Sequence, residues 1–159
     1  MSLSDEAAQA LGRVPSGLFI LTAGHGPAET GLLASWVQQC SFDPPRVSVA
    51  VKQGRDVADL LKQGAAFALH LIGEDQGRFL KHFGKGFAPG EPAFTGLAVS
   101  RPAGEATVLD EALGHLLCRV AGRFPAGDHD LFLGDIVGGR LALPDGKPMV
   151  HIRKSGLRY

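Results

Sequence analysis

The sequence has no apolar run of the roughly eighteen residues that a membrane-crossing helix requires. Its opening, MSLSDEAAQA, lacks the basic and apolar segments of a secretory signal, so the expected location is the cytoplasm. Charge bias is absent too. Sixteen basic residues balance sixteen acidic ones, and nothing favours nucleic acid or an anionic membrane as a partner. Cysteine is scarce: Cys40 and Cys118 lie far apart without a CxxC, which argues against a disulfide framework or a zinc cluster. Cys118, inside the run HLLCRVAGRF, reads as a small core residue. The six histidines form no HExxH or HxH arrangement, so no metal is expected. GxGxxG, GxxxxGK[ST] and GxSxG are all missing, which disfavours a Rossmann dinucleotide site, a phosphate-cradling Walker loop and a hydrolase nucleophile elbow.

What is present is a chain of 159 residues, 45% apolar, long enough to bury a core as one domain over residues 1–159. Ser4 or Asp5 can cap a short helix through EAAQAL that Gly12 and Pro15 close. Ser16 to Ala23 reads as a strand, and Thr30 to Gln39 returns as its hairpin partner after a Gly/Pro turn. Pro44 and Pro45 have no N–H for a sheet ladder, so a corner is expected at Phe42 to Pro45. RVSVAVK, Arg46 to Lys52, alternates as a third strand. Asp56 then caps the helix VADLLKQ, and Ala66 to Ile72 forms a fourth strand. A helix over DQGRFLKHF places Phe79, Leu80 and Phe83 on one face. The segment GKGFAPGEPAFTG has too much glycine and proline for regular structure and reads as a binding loop or lid. Three more strands fit around Leu97 to Ser100, His115 to Phe124 and Leu131 to Leu143. Strands dominate, helices are peripheral and no βαβ alternation appears, which favours a mainly β antiparallel barrel over a doubly wound sheet.

The most informative stretch is GLLASWVQQCSFDPPRVSVAVKQGR, from Gly31 to Arg55. Small residues allow close approach to the backbone, and Ser35 and Ser41 add hydroxyls where an extended corner leaves amides unpaired. Lys52 and Arg55, at the end of a strand and the start of a helix, suit a phosphate. By residue type alone, Trp36 would be a core aromatic and the two cations solvated ends. Their occurrence together points instead to a planar ligand with an anionic tail.

ASWVQQCSFDPP and KQGRDVADLL resemble the flavin reductase-like, FMN-binding split-barrel family. So do ALGRVPSGLFILTA, LKHFGKGFAPGEPAFTGL, the GDH at Gly127 to His129 and the closing MVHIRKSGLRY, in the same order. The likeness covers nearly the whole chain and is strongest to the flavin reductase domain fused to flavodiiron proteins. It implies an antiparallel Greek-key split barrel and an oxidoreductase that passes hydride from NAD(P)H to flavin, with FMN as cofactor and FAD as the alternative. Carried over by motif, Ala34, Ser35, Trp36 and Val37 line the flavin ring, Cys40 and Ser41 face its pyrimidine side, and Lys52, Gly54 and Arg55 reach the phosphate. His129 is implied at the nicotinamide or exposed flavin face, and His82 as a further binder. The resemblance also implies a homodimer, with free flavin, a monooxygenase or another redox protein as electron acceptor. His151, Arg153, Arg158 and Tyr159 match the family's ending; as a basic tail they read as solvated, at a dimer contact, or over the phosphate. Two other readings remain: an FMN electron carrier like a flavoredoxin, reduced by a protein partner, and a split-barrel binding module for another ligand such as haem.

Overall fold

Alternation in RVSVAVK buries Val47, Val49 and Val51 on one face of a strand, and the rest of the barrel is built around that face. The computed structural model describes residues 2–159. In chain order the elements are α1 (Asp5–Gly12), β1 (Ser16–Gly17), β2 (Phe19–Ala23), β3 (Thr30–Ala34), β4 (Val37–Phe42), β5 (Pro45–Lys52), α2 (Asp56–Lys62), β6 (Phe67–Leu71), α3 (Gly77–Phe83), β7 (Val99–Ser100), β8 (Val108–Leu109), β9 (Gly114–Ala126), β10 (His129–Leu141) and β11 (Val150–His151). Ser4 caps α1 by accepting a hydrogen bond from the Ala7 N–H. No helix is long and apolar enough to cross a membrane among the described residues.

Seven strands form one antiparallel sheet in the order β3-β2-β6-β9-β10-β5-β4. Its two edges, β3 and β4, are separated in sequence by Ser35 and Trp36 alone. The three Cα steps from Ala34 to Val37 span at most about 11 Å, so the sheet must curl until its edges come close together. The result is the expected mainly β, antiparallel split barrel. Its interior is filled by Leu21, Val47, Val49, Val51, Phe67, Leu69, Cys118 and Phe132, with Val57, Ala58 and Leu61 of α2 packed against them. Cys118 is a core residue as expected, and burial pushes its thiol up to about 12. A second cluster, with Ile20, Ile72, Phe79, Phe83, Phe94 and Leu109, seats α3 and the Gly/Pro-rich segment on the outside of the sheet.

β9 and β10 are thirteen residues each and are joined through Gly127, at φ 72°, and Asp128. Two register shifts bend this hairpin around the barrel. At one of them Gly134 leaves room for the Phe67 ring, whose Cζ would lie 2.5 Å from an added Cβ.

Several expected boundaries move. The strand expected over Thr30 to Gln39 is broken at Ser35–Trp36, so the corner lies there and not at Phe42 to Pro45. Phe42 and Pro45 pair directly, closing a hairpin; Pro45 is the first residue of β5 and lies beyond the pairing of that strand with β10, which ends at Arg46, so the proline costs no ladder bond on that side. Asp56 is the first helical residue of α2 and does not cap it; Arg55 holds the cap position, with no side-chain capping bond. The strand expected from Ser16 divides at Leu18, and its first part, β1, pairs with β11, which joins residues 150–151 to the start of the fold.

Candidate functional site

At the break between β3 and β4 the chain leaves one sheet edge and joins the other. The Trp36 carbonyl accepts the Ala50 N–H at 3.0 Å, which ties the crossover to β5. A cavity of about 340 Å³ opens beside it, lined by Ala34, Ser35, Trp36, Ala50, Val51 and Lys52 from these strands. Leu32, Leu33, Leu80 and Phe83 form its apolar walls, and Lys52 and Arg55 supply cations. Gly31 brings β3 close to α3: a Cβ there would lie 2.9 Å from the Phe83 ring.

Lys52 and Arg55 are the first and fourth residues of one turn. The Arg55 N–H donates to the Lys52 carbonyl at 3.3 Å, and Gly54 takes the positive φ, 82°, that such a turn requires at its third position. Both cations border the cavity although Gly54 does not. The Arg55 guanidinium lies against Gly86, where a Cβ would sit 3.4 Å from Nη1, so the Gly/Pro-rich segment closes over this end of the site.

Trp36 is the aromatic centre. The His129 ring lies 4.8 Å from it, centroid to centroid, the Tyr159 ring 5.5 Å from it, and the Arg153 guanidinium carbon 5.3 Å from its centroid. His129 Nδ1 is 2.7 Å from Asp128 Oδ1, and its Nε2 is 3.1 Å from the Tyr159 hydroxyl. The histidine bond holds the Asp128 carboxyl below the usual carboxylate range, and burial raises the Tyr159 phenol above its ordinary value.

Of the residues singled out by sequence, Ala34, Ser35, Trp36, Lys52 and Arg55 come together around this cavity. Val37 faces a second, more open cavity of about 710 Å³ on the other side of Ser35 and Trp36, together with Leu11, Val14, Leu131 and Val150. Cys40 is exposed on β4, and Ser41 is half-buried on the same strand; neither borders the first cavity. Moving the corner to Ser35–Trp36 is what carries them away. His82 accompanies Phe83 but turns aside: its Nε2 lies 2.8 Å from the Ala93 carbonyl, and its ring packs on Phe83 and Phe87. His129 is buried and reaches the cavity only through Trp36 and Tyr159. His151 and Tyr159 line the cavity directly. Of the three readings open to this tail, solvated, at a dimer contact or over the phosphate, their place on the cavity departs from the solvated one; the β1–β11 pairing that returns this segment to the barrel has no local sequence signal.

A volume near the lower end of ordinary ligand cavities, apolar walls, one large aromatic and two cations on a single turn fit a flat heteroaromatic ligand with an anionic tail, as a flavin nucleotide is. Trp36 and the leucines would meet its ring, and Lys52 and Arg55 its phosphate.

The chain is similar to known proteins in both sequence and fold. Diflavin flavoprotein A 1 of Synechocystis is 38% identical over 159 residues, covering 99% of this chain and 28% of that protein. A putative diflavin flavoprotein A 3 of Synechocystis is 40% identical, over 99% of this chain and 26% of its own length. The chain thus spans little more than a quarter of these relatives. Among solved structures, the styrene monooxygenase flavin reductase of Pseudomonas putida S12 superposes with a TM-score of 0.76 at 28% identity, covering 91% of this chain and 90% of that one. The NADH:FAD oxidoreductase of Streptomyces globisporus C-1027 shares the fold, with a TM-score of 0.82 at 24% identity over 91% of this chain and 85% of that one. Residues 11–157 match the model of the flavin reductase like domain, and the chain belongs to that family.

Proposed function

We propose that this chain is an NAD(P)H:flavin oxidoreductase that holds FMN in the cavity beside Trp36 and passes electrons on to free flavin, a monooxygenase or another redox protein. The observation that carries the reading is the placement of Trp36, Lys52 and Arg55 around one cavity of about 340 Å³. Protein side chains carry hydride poorly, and a bound flavin supplies that chemistry. The chain's own residues bind and orient. Apolar walls exclude water from the ring, the turn cations fix the phosphate, and His129, behind Trp36, sets the aromatic surface against which a nicotinamide is positioned. Positioning of two flat rings at contact distance is the main contribution required of the protein.

Cys40, Ser41, Val37, Gly54 and His82 stay outside this binding set, on the placements above. A homodimer is part of the proposal. It is supported by the exposed apolar side chains Val14 and Val150, which border the second, open cavity beside Trp36. Cytoplasmic location and a single domain over 1–159 complete it.

The test is direct. Purified chain reconstituted with FMN should show a flavin spectrum, bind in one-to-one ratio, and oxidise NADH or NADPH with flavin as acceptor. Bound flavin that neither nucleotide bleaches in stopped-flow mixing would convert the reading to an electron carrier reduced by a protein partner. Failure to bind any flavin would end it.

A further inference from the structure

Asp130 carries a side chain that neither the barrel's packing nor the site described so far explains. It follows His129 on β10 and is 1% exposed, a depth at which a carboxylate is costly unless partnered. Its Oδ1 accepts a hydrogen bond from Gln53 Nε2 at 3.1 Å. Its Oδ2 faces Lys62 Nζ at 3.3 Å and Arg123 Nη1 at 3.5 Å as ion pairs, with no hydrogen bond to it among the described residues. Burial alone would push the carboxyl up; the Gln53 bond and the Lys62 and Arg123 cations outweigh it and hold it below the ordinary value.

Gln53 is the second residue of the turn whose first and fourth residues are Lys52 and Arg55. Its backbone N–H donates to the Asp128 carbonyl at 3.0 Å while its side chain reaches Asp130. One exposed glutamine is thus pinned twice to the β9–β10 hairpin, from both sides of His129. The main-chain bond fixes where the turn starts. The side-chain bond to a buried anion fixes its roll, and with it the direction in which the two flanking cations project.

We propose that Asp130 is a positioning residue for anion recognition: through Gln53 it sets the Lys52–Arg55 turn so that both cations meet the phosphate of the bound ligand. The inference rests on the flavin-nucleotide reading of the cavity and adds to it the device that aims the phosphate-holding turn. The same hairpin then orders both ends of the site, His129 at the ring and Asp130 at the tail.

The experiment compares FMN with riboflavin, which lacks the phosphate, as ligands of the full chain carrying D130A, D130N, Q53A or D130A with Q53A. Circular dichroism and thermal melts accompany each, and Q53A, at an exposed position, guards against loss of fold. Both D130A and Q53A should weaken FMN by about tenfold, the scale of one charge-assisted hydrogen bond, with riboflavin held within about twofold. The double variant should be no worse than the weaker single, because both remove one contact. D130N keeps an acceptor for Gln53 and should retain most of the FMN preference. A purely electrostatic role predicts the reverse, tighter FMN in D130A and D130N alike, and that result overturns the proposal. So does parallel weakening of both flavins. Wild-type chain that prefers FMN while D130A and Q53A keep the full preference defeats this inference alone; wild-type chain that binds no flavin defeats it together with the reading beneath it.

Discussion

Trp36 and His129 face each other at 4.8 Å with their rings inclined at 48°, although ninety-odd residues separate them in the chain. The register that pairs His129 with Lys52 across β10 and β5 brings the histidine beneath the crossover that carries Trp36. The sole tryptophan of the chain is therefore a built-in probe. Titration with FMN should quench its fluorescence, and Trp36→Ala should weaken FMN by roughly five- to tenfold, the scale of a lost aromatic contact. Saturable FMN binding that leaves the emission untouched would remove Trp36 from the site.

His129→Ala should act on the nucleotide step more than on flavin affinity. The rate of flavin bleaching by NAD(P)H is expected to fall by about tenfold or more, as misplaced rings lose contact geometry, with the FMN dissociation constant changing little. Tyr159→Phe, which removes the hydroxyl near Nε2, should change the same rate and leave binding alone. Stopped-flow absorbance measures both, and an unaltered rate in His129→Ala would dismiss the histidine.

Arg55→Ala should cost FMN roughly ten- to a hundredfold in affinity, the range of a hydrogen bond to a charged group, and riboflavin almost nothing. Because both cations are exposed, the FMN advantage should also shrink as ionic strength rises. Equal losses for the two ligands would place the phosphate elsewhere.

His70 gives the fold an acid limit. It is fully buried between β2 and the 84–113 segment. Its Nδ1 lies 3.0 Å from the Ile20 carbonyl, and its Nε2 accepts the Leu109 N–H at 3.0 Å, which requires the neutral ring. Burial lowers its pKa to about 4. The unfolded chain therefore binds a proton that the folded chain refuses between about pH 6.5 and 4, and stability present above that window is lost on descending through it, by roughly 3 kcal/mol in all. His115, also lowered by burial, adds in the same direction. Urea unfolding at stepped pH should show the slope, and His70→Leu should flatten it; an unchanged slope would assign the acid sensitivity to other groups.

Gly134→Ala should destabilise the barrel by about 1–3 kcal/mol, because the new methyl meets the Phe67 ring in a filled core. A thermal melt within a degree of the parent would show that the ring has space to move.

Local chemistry was enough to write most of this protein's architecture from its sequence. β-branched alternation in RVSVAVK, the helical spacing of Phe79, Leu80 and Phe83, and the serine cap at residue 4 act within a few residues, so helices, strands and the β character could be read directly. The motif around Trp36 likewise brought Ala34, Ser35, Lys52 and Arg55 to notice together. Only the closure of the sheet decided the rest. Thr30 to Gln39 looks like one strand because nothing in its composition records that its two halves belong to opposite edges, and that hidden break moved the corner to Ser35–Trp36 and left Cys40 and Ser41 outside the cavity. The places of Tyr159 and Asp130 depend on strand pairings across the barrel, β1 with β11 and β10 with β5, and such long-range register is set by how apolar faces pack in three dimensions, which no short window of residues contains.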